Sequence, residues 1–132
     1  MFLIGFEIAR GVKEGYFTAS EVLQKCFDKI DETDSDICAW VCLDTDGAME
    51  RAKILDSIRK SGKALGPLHG VPVGIKDIVD TVNLPTRYGS DIFADRRPKS
   101  PARIIELLEK SGAIFFGKTV TTEFAFMMPS IT

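Results

Sequence analysis

The sequence predicts an α/β fold in which helices pack on a mixed or parallel sheet, with one domain over residues 1–132. Hydrophobic residues make up 45% of the chain, which is ordinary for a globular domain and too high for a disordered one. Segments with helical periodicity alternate with short apolar runs that are typical of strands. Two such runs, residues 71–76 and 113–116, are separated by a long connection and a helical segment. That order predicts a βαβ crossover, which joins parallel strands.

The N-terminal third is predicted to be helical. A first helix is expected over about residues 3–13, with Gly15 ending it. A second begins at Thr18, whose hydroxyl has the capping-box spacing to the carboxylate of Glu21. Its apolar residues fall on one helical face: Val22, Leu23, Cys26, Phe27 and Ile30. The acidic run 31–36 is interpreted as a solvated turn, because it lacks the glycine and the closing glutamate of a calcium loop.

One strand and one further helix are predicted next. The apolar run 37–43 is interpreted as a strand that is buried on both faces. A helix over about residues 47–61 follows, with Asp44 or Asp46 as its N-cap and Gly62 as its C-terminal stop. Its inward face is expected to carry Ala48, Ala52, Leu55 and Ile58.

The run 71–76 carries the best candidate for chemistry, Lys76. Val71, Val73 and Ile75 alternate with other residues, which is the period-two pattern of a short strand. The opposite face carries almost nothing before Lys76, so a backbone or a substrate is expected to come close beside it. Desolvation at the end of an apolar strand disfavours the charged amine, and a neutral lysine can accept a proton. The pattern alone leaves open that Lys76 simply extends into solvent.

The segment after this strand is predicted to be irregular over residues 78–100. Ser100 as N-cap and Pro101 in the first turn are expected to start a helix, and Gly112 to close it. Four apolar residues should bury that helix: Ile104, Ile105, Leu107 and Leu108. The run 113–116 is then a short buried strand.

Residues 112–119 satisfy the P-loop pattern G-x-x-x-x-G-K-T, but we reject a phosphate site. A P-loop follows a strand, and its variable residues curl so that backbone amides surround phosphate. Here a predicted helix precedes Gly112, and the variable residues AIFF form a strand themselves. Gly112 is therefore interpreted as a helix C-cap, and Lys118 as a residue just past the strand end. Nucleotide binding remains a weak alternative.

Histidine and cysteine usage predicts neither a metal site nor a nucleophile. His69, the sole histidine, lies in a turn without a partner acid at a recognisable spacing, so a hydrogen-bonded structural role is expected. Cys26, Cys38 and Cys42 are odd in number, lack CxxC spacing, and lie in apolar contexts where free cysteine behaves as a small hydrophobe. A reduced, cytoplasmic compartment is the simplest expectation.

Charge and hydropathy exclude other classes of function. The net charge is −2, with 17 basic and 19 acidic residues mixed along the chain, so no basic stripe predicts nucleic-acid binding. The short basic cluster at residues 96–99 is interpreted as a solvated loop. The N-terminus lacks the pattern of a signal peptide, and no apolar run reaches membrane-spanning length.

Several ordered blocks resemble the amidase signature family. The first is residues 66–77, GPLHGVPVGIKD, which is similar to the family's lysine block. Further blocks are LPTRYGS at 84–90, SGAIFFGKT at 111–119 and TTEFAF at 121–126. Their order and approximate spacing are those of the family, and together they extend over residues 65–126.

The resemblance implies an amidase that uses a Ser-cisSer-Lys triad, with Lys76 as its lysine and no metal or organic cofactor. It implies that residues 1–132 are the N-terminal portion of one amidase signature domain, with an incomplete sheet. The family's Gly/Ser-rich stretch, which carries both serines, has no match here, so this chain alone is expected to be inactive. By analogy of position, Phe126 and Met127 would bind substrate; core packing is the alternative.

Several functional questions stay open in the sequence. The expected partner is a small-molecule amide, with no nucleic acid and no membrane, and the chain could form a homo-oligomer. The chain could instead be a non-catalytic remnant or interaction module. Within the amidase interpretation, the A-type component of a tRNA amidotransferase is a further possibility that no residue selects.

Overall fold

The computed structural model describes residues 4–126, in which four α-helices pack with a three-stranded sheet. The helices are α1 Gly5–Glu14, α2 Ala19–Ile37, α3 Thr45–Lys60 and α4 Arg103–Lys110. The strands are β1 Trp40–Leu43, β2 Pro72–Lys76 and β3 Ile114–Thr119, and single 3-10 turns occur at Asp91–Phe93 and Glu123–Ala125. The predicted α/β class is confirmed.

The sheet is mixed, with strand order β1-β3-β2. β2 and β3 are parallel, as the βαβ order predicts, and β1 pairs with β3 in antiparallel orientation. The register places Lys76 opposite Thr119. The register shifts after Val73. Val73 pairs with Phe115, whereas the next residue, Gly74, pairs with Gly117. One extra β3 residue is therefore accommodated between the two pairs.

The two N-terminal helices begin close to where the sequence predicts, and α1 also ends close to its predicted end. Gly15 follows α1 in the left-handed conformation, with a φ of 82°. The predicted capping box starts α2, because the Thr18 amide donates to Glu21 at 2.7 Å and the Glu21 amide donates to the Thr18 hydroxyl at 3.1 Å. A second cap comes from α3, where Asp56 accepts the Ala19 amide at 2.7 Å. The α2 N-terminus is thus tied to both its own chain and α3.

The acidic run 31–36 is helical, so its interpretation as a turn is wrong. α2 continues to Ile37 and ends at Cys38, which has a φ of 53°. The side chains of the run remain compatible with a helix because they lie at the surface, where Lys29 pairs with Glu32 at 3.0 Å. The Asp34 carboxylate then accepts the Ala39 amide at 2.7 Å and turns the chain into β1. The strand therefore begins later than predicted, and its residues are half-buried rather than buried on both faces.

The main core is one cluster of residues from the first three helices and β3. Phe27 of α2 meets Phe116 edge-on at 5.6 Å between ring centroids, and Trp40 lies 4.9 Å from the same ring. The buried members of the cluster are Val12, Ala19, Val22, Leu23, Phe27, Ala48, Ala52, Leu55, Ile114 and Phe116. The packing therefore fixes β3 at the centre of the fold.

α3 starts with Asp44 as its N-cap, one of the two predicted choices.

The helix α4 differs from its prediction at its start and on its buried face. Its N-cap is Ala102, with no side-chain cap, rather than Ser100. Ile105 is buried, whereas Ile104 and Leu107 are exposed, so the helix covers the sheet with a narrow stripe only. Gly112 follows the helix with a φ of 88°, which confirms its predicted role as a stop.

Candidate active site

Lys76 is the last residue of β2, and backbone hydrogen bonds hold it in place. Its side chain is exposed, so the predicted desolvation is absent among the described residues. The physical reason is that β2 lies at the edge of the described sheet, with β3 on one side only. The Lys76 carbonyl accepts the amides of Ile78 at 2.8 Å and Val79 at 3.0 Å, which turns the chain sharply after the strand.

The bare face of β2 is partly covered by an aromatic ring rather than open to substrate. A Cβ on Gly74 would lie 2.6 Å from the Trp40 ring, and one on Gly117 would lie 2.8 Å from it. The two glycines, which pair with each other in the register, therefore allow the β1 tryptophan to lie across β2 and β3. The close approach therefore occurs at Gly74, and the approaching group is the Trp40 side chain rather than the expected backbone or substrate.

A buried ion pair involves the residue that follows Lys76 in the chain. The Asp77 carboxylate and the Lys118 ammonium are 3.6 Å apart, and both side chains are almost completely buried. The ammonium donates to the Val79 carbonyl at 2.5 Å and to the Thr86 hydroxyl at 2.9 Å. Burial lowers the pKa of Lys118 below its usual value, and the neighbouring Asp77 charge acts in the opposite direction.

A second polar cluster holds the long connection in place. Arg96 binds Asp80 through both carboxylate oxygens at 2.7 and 2.9 Å, and the Tyr88 hydroxyl donates to the same carboxylate at 3.1 Å. The Arg96 hydrogen bonds lower the pKa of Asp80, while partial burial opposes them. Burial, followed by the Asp80 hydrogen bond, raises the pKa of Tyr88. Charged contacts therefore help to order this segment, together with its 3-10 turn and its backbone hydrogen bonds.

The P-loop interpretation is excluded by the position of its lysine. β3 runs to Thr119, so Lys118 is inside the strand and not past its end as predicted. The error arose because the register with β2 extends the strand beyond the apolar run. A fully buried ammonium that is hydrogen-bonded to protein oxygens cannot reach a phosphate.

His69 has a structural role, as predicted. Its side chain is buried, and its Nε2 lies 3.0 Å from the Leu55 carbonyl oxygen of α3. Of the cysteines, Cys38 is exposed because it caps α2, which corrects its expected apolar setting. Within residues 4–126, no group of three or more His, Cys, Asp or Glu side chains could hold a metal ion.

The two predicted substrate-binding residues lie at the end of the described chain and beyond it. Phe126 is exposed at the end of the described chain, and Met127 lies outside the described residues. An open pocket of about 450 Å³ is lined partly by Trp40, Asp77 and Arg87, and Lys76 is not among the described residues that line it. The residues that sequence reasoning missed are Asp77 and Lys118. A charged residue directly after Lys76, at the end of a strand that pairs with the strand of Lys118, was the available signal.

Comparisons with known proteins agree on one family. The family model described as Amidase matches residues 21–130. The A-type component of the glutamyl-tRNA(Gln) amidotransferase of Salinispora tropica is 42% identical over 119 residues, which is 90% of this chain and 24% of that protein. The corresponding protein of Natranaerobius thermophilus is 40% identical over the same length. The chain thus spans about a quarter of the length of these curated relatives.

Solved structures share the fold of the described residues. The peptide amidase of Stenotrophomonas maltophilia superposes with a TM-score of 0.84 at 26% identity, covering 90% of this chain and 25% of that one. A structure from a vestigial complex related to an s-triazine catabolic enzyme has a TM-score of 0.90 at 29% identity, covering 94% and 27%. No described helix is long and apolar enough to cross a membrane.

Proposed function

The chain belongs to the amidase signature family, and on that premise we propose that it contributes Lys76 as the catalytic base of an amide hydrolase. The observation that carries the proposal is the position of Lys76. It ends β2 inside the matched segment, with an exposed side chain and a firmly hydrogen-bonded backbone. The substrate would be a small carboxylic amide, and the products an acid and ammonia or an amine.

The proposed chemistry needs two serines in addition to Lys76. In the proposed relay, the deprotonated form of Lys76 accepts a proton from a bridging cis-serine, which in turn takes the proton of the nucleophilic serine. The nucleophile adds to the amide carbonyl, and the tetrahedral oxyanion collapses to an acyl-enzyme as the C–N bond breaks. The lysine's proton returns toward the leaving nitrogen. Water, deprotonated through the same relay, then releases the acid.

A chimeric amidase tests this proposal. Residues 21–126 of this chain replace the matching segment of the Stenotrophomonas peptide amidase, and ammonia release from a peptide amide is measured. Lys76→Ala should lower kcat by about 10²–10⁴-fold, the usual contribution of general acid–base catalysis. Lys76→Arg should be equally inactive, because a guanidinium keeps its proton at neutral pH. Lys63→Ala, at an exposed lysine outside β2, is the control and should have no effect.

The outcomes separate the proposal from a non-catalytic role. Lys76→Ala with nearly unchanged turnover would remove Lys76 from the mechanism. A folded chimera that is inactive with Lys76 intact would instead favour a non-catalytic remnant or interaction module.

A second candidate is the A-type component of a tRNA amidotransferase. It is favoured by the relatives with that name, one of which is 42% identical. The net charge of −2 means that the chain has no excess of positive charge to attract tRNA. Two measurements distinguish the candidates. An amidase should release free ammonia as the chimera. An amidotransferase component should support amidation of glutamyl-tRNA(Gln) when the other components of the Salinispora enzyme are supplied.

A further inference from the structure

The fold buries a lysine of β3, Lys118, and stability alone does not explain its burial. Lys118 is completely buried, and its nearest charged partner among the described residues is Asp77 at 3.6 Å. Removing two charges from water is costly, and a well-packed apolar pair is often at least as stable as a buried ion pair. A buried ion pair is therefore a poor source of stability, and in some proteins it specifies one local arrangement instead.

The partner of Lys118 is the residue next to the proposed base. The Asp77 amide donates to the Thr119 carbonyl at 3.0 Å, and the Asp77 carbonyl accepts the Tyr88 amide at 3.0 Å. Its two carboxylate oxygens accept the Arg87 amide at 3.1 and 3.2 Å. Every polar group of Asp77 is thus engaged, and the chain is clamped at the first position after Lys76.

Lys118 holds the other side of the same turn. Its ammonium binds the Val79 carbonyl and the Thr86 hydroxyl, so one cation joins β3 to two points of the irregular segment. The Lys76 carbonyl is also bound within this turn, by the amides of Ile78 and Val79. The Lys76 side chain itself is exposed, so packing around it does not set its direction among the described residues.

We propose that Asp77 and Lys118 form an internal ion pair that positions Lys76 for catalysis. They are positioning residues, since both side chains are buried and act on Lys76 through the backbone of the turn that follows it. The inference rests on the proposed function of Lys76 and adds to it the device that fixes the base. A displacement of about 1 Å at a catalytic group can lower the rate about 10²-fold, so a clamp next to the base matters even where the fold persists.

Hydrogen exchange on the 132-residue chain is the first test. Lys118→Met should speed exchange at the amides of Asp77, Arg87 and Tyr88 at least about ten-fold relative to the Ile114 amide. The Ile114 amide donates to the Val71 carbonyl at 2.8 Å, at the opposite end of the β2–β3 pair from Lys76. Global destabilisation would speed all four amides together. Lys63→Met, the same change at an exposed site, is the control and should alter none of them.

The second test uses the chimeric amidase. Lys118→Met should lower kcat about 10²-fold while KM stays within about two-fold, at a temperature where the variant is folded. The double variant Asp77→Asn/Lys118→Met has no unpaired buried charge and should melt within a few degrees of the parent, whereas its kcat should stay at least about ten-fold lower. Recovery of melting temperature without recovery of kcat is the expected result, because a purely structural pair would restore both.

Three results decide the matter. Unchanged kcat in folded Lys118→Met, or full recovery of kcat in the double variant, would overturn the positioning role. Uniform acceleration of exchange across all four amides would overturn it as well. Full activity of Lys76→Ala is a separate result, because it would refute the proposed base and leave the exchange measurement on the ion pair standing.

Discussion

Asp56 should be one of the most sensitive polar positions in the chain. It lies on α3 but caps α2, accepting the Ala19 amide at 2.7 Å, the Ser20 amide at 3.2 Å and the Ser20 hydroxyl at 2.7 Å. Ala19 is completely buried, so water cannot replace the lost acceptor at its amide. The carboxylate also lies at a helix N-terminus, where negative charge is favourable.

The cost of Asp56→Ala follows from these contacts. An unsatisfied buried amide costs about 1–3 kcal/mol, and losing the charge at the helix N-terminus adds about 0.3–1 kcal/mol. We expect a loss of about 3 kcal/mol in the free energy of unfolding. For a chain of 132 residues that corresponds to a melting temperature lower by about 10 °C. Asp56→Asn keeps an acceptor of the same shape and should lose about 1 kcal/mol.

Urea unfolding followed by circular dichroism measures the difference. Glu50→Ala is the control, since it removes an exposed carboxylate from the same helix and should change stability by less than about 0.5 kcal/mol. If Asp56→Ala were no less stable than Glu50→Ala, the reasoning from the shared cap would be refuted.

Three further predictions concern binding, pH and solution behaviour. Isothermal titration with ATP or GTP and magnesium should show no binding, because the ammonium of Lys118 is buried; micromolar affinity that Lys118→Ala abolishes would contradict this. The pKa of Asp80 is below its usual 3.8, so the stabilisation it gives is present above that pH and is lost as the pH falls through the lower, native value. The stability difference between the parent and Asp80→Asn should therefore shrink on acidification, and a constant difference in urea titrations would argue against it. The chain by itself should hydrolyse no aryl amide. It should also self-associate, because β1 and β2 are open edges of the described sheet and the side chains of Ile92, Phe6 and Phe126 are at least 70% exposed. A monodisperse, sharply melting monomer in sizing chromatography, or turnover that depends on Lys76, would contradict that expectation.

Local signals in the sequence were sufficient for most of the fold. The capping box at Thr18, the Asp44 cap and the glycine stops act through neighbouring backbone groups, so they could be read from short segments. The parallel pairing of β2 and β3 followed from the order of the elements. These features depend little on what packs around them.

Composition and long-range pairing account for the differences between prediction and structure. The acidic end of α2 was assigned to a turn because composition does not reveal whether a polar run lies along the surface of a helix. Lys118 lies inside β3 rather than past its end because the register with β2 continues beyond the apolar run, and that pairing joins segments distant in sequence. The exposure of Lys76 likewise depends on which strands lie beside β2.

Chemical rescue of Lys76→Ala in the chimeric amidase tests the central claim most directly. Small primary amines of increasing basicity are added, and the rate of ammonia release is measured at constant pH. If Lys76 is the base, amines that fit the vacated space should restore part of the activity with saturation, and guanidine should not, because it stays protonated. Activity of Lys76→Ala that is high without amine, or that no amine raises above background in a folded chimera, would contradict a proton-accepting role for Lys76.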